Sequence, residues 1–490
     1  MRKIIYSILL GSICISACKS DFLDTSPTDQ IGQKIVLNSL DNLYKALNGI
    51  HRVMIAQYSK RPCGGEPTMS LYKDTMGDDL VLTNNSSSFA DALGWIEHRD
   101  PSSGLCLFGF EMYYKFILNA NQLLENVDVV PNTDPVLHDG IKGEALCFRA
   151  WSHFQLVQLY GIRYRAGVEN SQLGVPYRKA SSTEAMARNT VEECYAYIHE
   201  DLDEAISLLE NYKAAAVTHF SLKVAYGIKA RVFLTQQNYK DAAEYADLAI
   251  QTAEKEGFKL MEGDQLLCGF YNLLTEAKET IWGAHPLEDQ SIWWWSYYAF
   301  MGWDIDNERE VRCINSNLYE TLSETDIRRN WWDPTGEAER PSWVMVSAPY
   351  QHRKFKAKEA EITIGDFPYM RLAELYLMKA EALARQGGRD GEAQTTLTTF
   401  ALTRDPVYTP KSGTNADLIE EIMCQRRIEL WGEGFRFTDL KRLNLPLDRT
   451  NSNHRGDVSG IMEVAAGDAR WEFLVPTSEM NTNSLMVQNP

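Results

Sequence analysis

Basic residues are in short supply. Lys and Arg total 49 against 67 Asp and Glu, a formal net charge of −18 over 490 residues. No basic run offsets that excess, so the surface repels a phosphate backbone and nucleic-acid binding is not expected. Long apolar runs are equally scarce: beyond the first eighteen residues, no segment reaches the ~20 residues that a membrane-spanning helix needs. Cysteine is sparse as well, nine in all, and the seven beyond Cys14 and Cys18 stand at wide spacings with no C-x-x-C, which argues against a zinc cluster or a dense disulfide framework. Cys147, Cys194 and Cys424 fall on helical patterns as small core residues; whether Cys63 and Cys106 pair stays open. Familiar catalytic signatures are missing too, with no H-E-x-x-H, no G-x-S-x-G and no Walker-type loop. His98-Arg99-Asp100 imitates a kinase tripeptide, but Pro101 follows it and Leu105 stands where a metal-binding Asn belongs. Asp304-x-Asp306-x-Glu308 is a fragment of calcium-loop spacing in which Arg309 occupies the place of the required Gly. The expectation is a protein with no catalytic residues, no cofactor and no metal.

What is present is ample material for a core: 44% hydrophobic residues, including 12 Trp, 23 Tyr and 18 Phe. That suits a few globular domains or one large helical array. The chain opens with Arg2 and Lys3, then an apolar run from Ile4 to Ile15 that ends in Ser16-Ala17-Cys18. A basic head, a short apolar stretch and small residues before a Cys resemble a bacterial lipoprotein signal. Residues 1–17 are expected to be the signal peptide, with Cys18 carrying the acyl chains (palmitate and its like). Two or more chains anchor stably where one is marginal.

Apolar residues recur at helical spacing over roughly 37–57, 111–126, 139–160, 191–210, 221–237, 240–255, 368–386, 389–403 and 415–431. Between them lie long irregular stretches, 58–110 and 257–367. Short strands are expected only at 361–364 and 471–475. Ala230, Phe233, Tyr239, Ala242, Ala246 and Ala249 are spaced like one tetratricopeptide repeat, a helical hairpin whose small residues allow close approach. A looser copy runs through Tyr376, Ala380, Leu383, Ala393 and Leu397. Such hairpins must stack to bury their faces.

Five blocks then carry a family resemblance. They are Asp21-Phe22-Leu23-Asp24-Thr25-Ser26-Pro27; Gly143 to Trp151, continuing to Tyr160-Gly161; Phe367 to Leu377 with Lys379-Ala380-Glu381-Ala382; Gln425 to Arg436 with Asp439-Leu440-Lys441-Arg442; and Phe473-Leu474-Val475-Pro476 with the terminal Gln488-Asn489-Pro490. In order and spacing they resemble the SusD/RagB family of Bacteroidetes nutrient-uptake lipoproteins. Two departures are local: Leu443 follows Arg442 where the family has aromatics, and 399–404 lacks the usual Asn-x-x-Arg-x-Arg. The resemblance implies a mainly α, SusD-like fold over 18–490 as a single domain, with tetratricopeptide-like hairpins, long irregular loops and a few short strands. Its helical scaffold would be 37–57, 111–255 and 368–445, and its variable ligand-binding loops 58–110 and 257–367. It also implies an outer-membrane, surface-exposed, lipid-anchored binder of oligo- or polysaccharide that is not an enzyme and feeds a SusC-like TonB-dependent transporter. The alternatives are a peptide-binding RagB-like uptake protein, a cryptic glycoside hydrolase and a docking scaffold whose loops bind nothing.

Within the family motifs, Arg371 and Glu374, Arg426, Arg427 and Glu429, and Arg436 and Asp439 place opposite charges within one helical turn; the expectation is structural, buried or half-buried Arg–carboxylate pairs that lock helices into register. For the ligand, sugars offer C–H faces that stack on aromatic rings and hydroxyls that need polar partners. Residues 292–303 hold seven aromatics in twelve positions, bracketed by turn signals, and three adjacent Trp cannot all face one core. Candidate sugar contacts are therefore Trp293, Trp294, Trp295, Tyr297, Tyr298 and Trp303. Trp95, with Asp79 and Arg99 as hydroxyl partners, is expected to serve as a second platform.

Overall fold

The computed structural model describes residues 37–58, 62–84, 88–306, 310–411 and 413–490. Residues 1–17, expected to be a signal peptide, and Cys18 lie outside these. The protein is mainly helical, and eleven described helices run eight residues or more: α1 Leu40–Val53, α2 Gly65–Thr75, α3 Gly104–Val127, α4 Pro135–Tyr160, α5 Val191–Leu209, α6 Leu222–Thr235, α7 Tyr239–Lys255, α8 Leu372–Gln386, α9 Asp390–Ala401, α10 Asn415–Glu429 and α11 Arg436–Leu443. No described helix is long and apolar enough to cross a membrane.

Local chemistry sets where these helices begin. Ser39, Ser103 and Asp134 accept backbone N–H bonds at the starts of α1, α3 and α4, and Pro135 occupies the first turn of α4. Thr190 with Glu193, and Thr414 with Asp417, form reciprocal capping boxes on α5 and α10. Helices then pair in sequence: α4 with α5, α6 with α7, α8 with α9, and α7 also against α8. In the α6–α7 hairpin, Ala230, Ala242, Ala246 and Ala249 are fully buried, while Phe233 and Tyr239 are half-buried at the seam.

Strands are short and join distant segments. β1 Leu80–Leu82, β3 Arg312–Ile314, β5 Gln351–His352 and β4 Trp332–Asp333 form one antiparallel sheet in that order. β2 Thr280–Ala284 pairs with β6 Phe367–Arg371, Thr280 opposite Arg371 and Ala284 opposite Phe367. β7 Leu447–Asp448 pairs with β8 Glu463–Val464. The strands expected from sequence are not these: 361–364 contributes one isolated bridge, Glu359 to Ile364, and 471–475 pairs in no described sheet. All seven described cysteines are free.

The expected loop 58–110 holds a larger surprise. Its α2 is buried along its whole length, Glu66, Lys73 and Asp74 included, so this stretch is core as much as loop. Lys73 Nζ lies 3.2 Å from Glu66 Oε1, and Asp74 accepts the backbone N–H groups of Gly434 and Arg436 at 2.9 and 3.1 Å.

The expected Arg–carboxylate pairs are present and largely buried, but their partners are not the neighbours within a helical turn: they join different elements. Arg371 contacts Glu279, Glu429 and Glu433, whereas Glu374 is taken by Arg231. Arg426 pairs with Asp439, Arg427 with Asp79, and Arg436 with Asp78. The densest cluster is fully interior. Four cations, Arg328, Lys354, Arg371 and Arg404, face four carboxylates, Asp326, Glu279, Glu429 and Glu433. Glu429 alone faces Arg371 at 2.9 Å, Arg404 at 2.8 Å and Arg328 at 3.2 Å. Coulombic attraction from Arg404, Arg371 and Arg328 overcomes the burial that would raise its carboxyl and holds it well below the ordinary range. The guanidinium forks reach from β6, α9's exit and the 327–331 turn onto the end of α10, so the cluster fixes the register of the frame.

Candidate functional site

Trp293, Trp294 and Trp295 form one turn of 3₁₀ helix. Trp293 is 55% and Trp294 54% exposed, and Trp295 is half-buried. The shelf is held from beneath. Ser291 Oγ accepts the Trp293 N–H at 3.1 Å and donates to the Ile362 carbonyl at 2.6 Å. Thr363 Oγ1 donates to the Trp293 carbonyl at 2.7 Å, and Ser296 Oγ donates to the Thr363 carbonyl at 2.7 Å. Both Trp293 and Thr363 have positive φ, 50° and 51°, a conformation unusual for bulky and β-branched side chains. Such backbone persists where surrounding bonds over-determine it, as these do. Gly64 closes against the same turn: a Cβ there would lie 2.1 Å from the Trp295 carbonyl oxygen.

Ser296 caps the short helix Tyr297–Met301 by accepting the Ala299 N–H at 3.0 Å. This helix turns Tyr297 and Tyr298 inward, contrary to their expected role as sugar contacts. The Tyr297 hydroxyl donates to the Gly432 carbonyl at 2.7 Å, and that of Tyr298 to the Phe270 and Asp366 carbonyls at 2.9 and 2.7 Å. Both rings are buried, and burial pushes both phenols well above their ordinary pKa. They anchor the shelf from beneath, and their rings contribute to the wall of the adjoining cleft rather than to an exposed stacking face. Trp303, beyond this helix, is half-buried with the Arg353 guanidinium 4.3 Å from its ring centroid. Nearby, Trp343 is 58% exposed and donates its indole N–H to the Asp304 carbonyl at 3.0 Å.

A small cleft beside the shelf, partly open to solvent, is lined by Ile55, Pro67, Pro286, Gln290, Ile292 and Thr363 among others. Glu288 and Asp289 are exposed just upstream of the Trp turn, and Lys358 approaches Glu288 at 3.6 Å. The site thus joins exposed indoles, an apolar cleft and a rim of charged groups. Sequence reading missed the wall from Ile55, Pro67 and Thr363, because nothing local signals that these three residues meet Ile292.

The second expected platform does not exist. Trp95 is 3% exposed, its indole N–H donates to the Met76 carbonyl at 2.9 Å, and its ring packs edge-on against Trp471 at 4.7 Å. Asp79 is buried beneath Arg427 and Arg436 and has no carboxylate oxygen to offer a sugar. Arg99 spends its guanidinium on the carbonyls of Ala469, Glu472 and Pro490, tying the chain's end to this region. All three are scaffold. Trp95→Ala is accordingly expected to cost about 3–5 kcal/mol of stability, as for other buried Trp truncations. Denaturant titration checks that cost, and ligand affinity should be unchanged in whatever fraction stays folded.

Two family models match the sequence: "Starch-binding associating with outer membrane" over residues 21–234, and "SusD family" over residues 295–490. Among solved structures, a SusD-like carbohydrate binding protein from Bacteroides vulgatus is 23% identical, with 92% of this chain and 97% of that chain covered at a TM-score of 0.79. A putative sugar binding protein from the same species is 25% identical, with 92% and 98% covered at a TM-score of 0.79. A laminarin binding SusD-like protein is 20% identical, with 92% and 99% covered at a TM-score of 0.69. No curated protein sequence matches the chain.

Proposed function

Since the chain belongs to the SusD/RagB family, we propose that it is a cell-surface lipoprotein that captures oligo- or polysaccharide without cleaving it and passes it to a SusC-like TonB-dependent transporter. The observation that carries this reading is the exposure of Trp293 and Trp294 on a turn locked by Ser291, Ser296 and Thr363. A pyranose ring presents axial C–H bonds to an indole face and projects its hydroxyls sideways, toward the Glu288–Asp289 rim and Gln290 of the adjoining cleft. Holding two large rings in place before the ligand arrives lowers the ordering cost of binding. Capture fits a protein acylated at Cys18, which lies outside the described residues, with its binding face held at the membrane surface.

Native gels cast with single polysaccharides test the proposal. The protein should be retarded by at least one glycan of a starch, β-glucan, mannan, xylan and pectin panel, and long incubation should release no new reducing ends. Retardation by none would contradict glycan capture. Released oligosaccharides would contradict the non-enzymatic reading.

A further inference from the structure

Far in sequence from the indole shelf, three side chains converge in the helical frame. His51 on α1, Glu144 on α4 and His219 in the loop before α6 present one nitrogen, one carboxylate and one nitrogen, all within 4.8 Å of one another. His51 Nε2 lies 3.1 Å from Glu144 Oε2, and His219 Nδ1 lies 3.1 Å from Glu144 Oε1. Their side chains are 10%, 0% and 9% exposed for His51, Glu144 and His219.

Charge sets this cluster apart. Among the described residues, four glutamates have no exposed surface: Glu144, Glu279, Glu381 and Glu429. The last three each face arginine. Among the described residues, the ion-pair contacts of Glu144 are with the two imidazoles alone. A buried carboxylate without a permanent cation is costly, and a bound cation removes that cost. The spacing admits one as well: Glu144 Oε2 lies 3.1 Å from His51 Nε2 and 3.2 Å from His219 Nδ1, near the about 3.3 Å between ligand atoms of a tetrahedral zinc ion with bonds near 2.0–2.1 Å. The carboxylate is further oriented by the Tyr212 hydroxyl on Oε1 at 2.9 Å and by the Phe220 N–H on Oε2 at 3.0 Å. Outer-sphere donors of this kind hold a ligating carboxylate in place.

We propose that His51, Glu144 and His219 form a binding site for one zinc-type divalent cation that clamps α1 to α4 and to the loop before α6. Two imidazoles and one carboxylate are a ligand set suited to zinc, with a fourth position for water. The site is buried and packed among aromatic rings, Phe148 and Phe220 beside His51, so its role is structural. It is independent of the glycan reading.

The test uses the purified full chain, stripped with chelator, dialysed against zinc and then against metal-free buffer. The expected result is one zinc per chain, a higher thermal midpoint that chelator reverses, and visible ligand-field bands of low-coordinate cobalt when Co²⁺ replaces zinc. His51→Ala and His219→Ala should each abolish the cobalt bands and the thermal shift, while His138→Ala, at a separate Asp128–Asp139 cluster, should retain both. No metal retained by the unsubstituted chain would overturn the proposal and leave a hydrogen-bonded carboxylate hub. So would bands that survive both substitutions, or that vanish equally in His138→Ala.

Discussion

Glu429→Ala should destabilise the protein by about 3–5 kcal/mol, the typical cost of breaking a buried ion pair from one side. Glu429 is the shared acceptor of Arg328, Arg371 and Arg404, none of which can shed its proton, and all of which are sealed from water. Removing it leaves three interior guanidiniums and the Lys354 ammonium opposite the remaining Glu279, Glu433 and Asp326, one negative charge short of balance. Denaturant titration should show a lower midpoint at unchanged slope. Glu429→Gln keeps the volume but loses the charge, and should fall between the two. Lys45→Ala at the exposed Lys45–Asp41 pair is the contrast: that substitution should leave the midpoint within scatter. Equal effects at the two sites would show that the interior network does not hold the frame.

The second large effect concerns binding. Trp293→Ala and Trp294→Ala should each weaken glycan affinity by about 1–3 kcal/mol, roughly five- to 150-fold, as for aromatic anchors at other recognition sites. Stability should hardly move, because both rings are more than half exposed and neither indole N–H is committed to a described hydrogen bond. Trp→Phe at either position keeps a stacking face and should recover part of the loss. Trp95→Ala gives the mirror image, with stability lost and affinity kept.

These paired outcomes show what could be read from the chain alone. Helix positions were legible because apolar spacing acts within a few residues: the alanine pattern of 230–249 needs no distant partner. The three-Trp turn was legible because neighbouring rings cannot share one core. Trp95 was not, since its burial depends on Trp471 and Met76 and its own neighbours, Gly94 and Ile96, say nothing of either. Helix α2 escaped notice because Glu66, Lys73 and Asp74 break its apolar pattern, and they are tolerated inside through the Lys73–Glu66 pair, the Tyr113 hydroxyl on Glu66, Gln155 beside Lys73, and the N–H groups of residues 434 and 436 on Asp74. The arginines were recognised as structural, but i,i+3 spacing misdirected their pairing. Arg436 reaches Asp78, 358 residues away, while Asp439 goes to Arg426 and Arg442. Likewise His51 and His219 lie 93 and 75 residues from Glu144, beyond any local motif.

Calorimetry of the Trp293→Ala/Trp294→Ala double variant against the polysaccharide that retards the parent protein tests the central claim most directly. The account predicts that heat of binding vanishes or that Kd rises at least a hundredfold, with the thermal midpoint unchanged. Binding at parental strength in the folded double variant would contradict it.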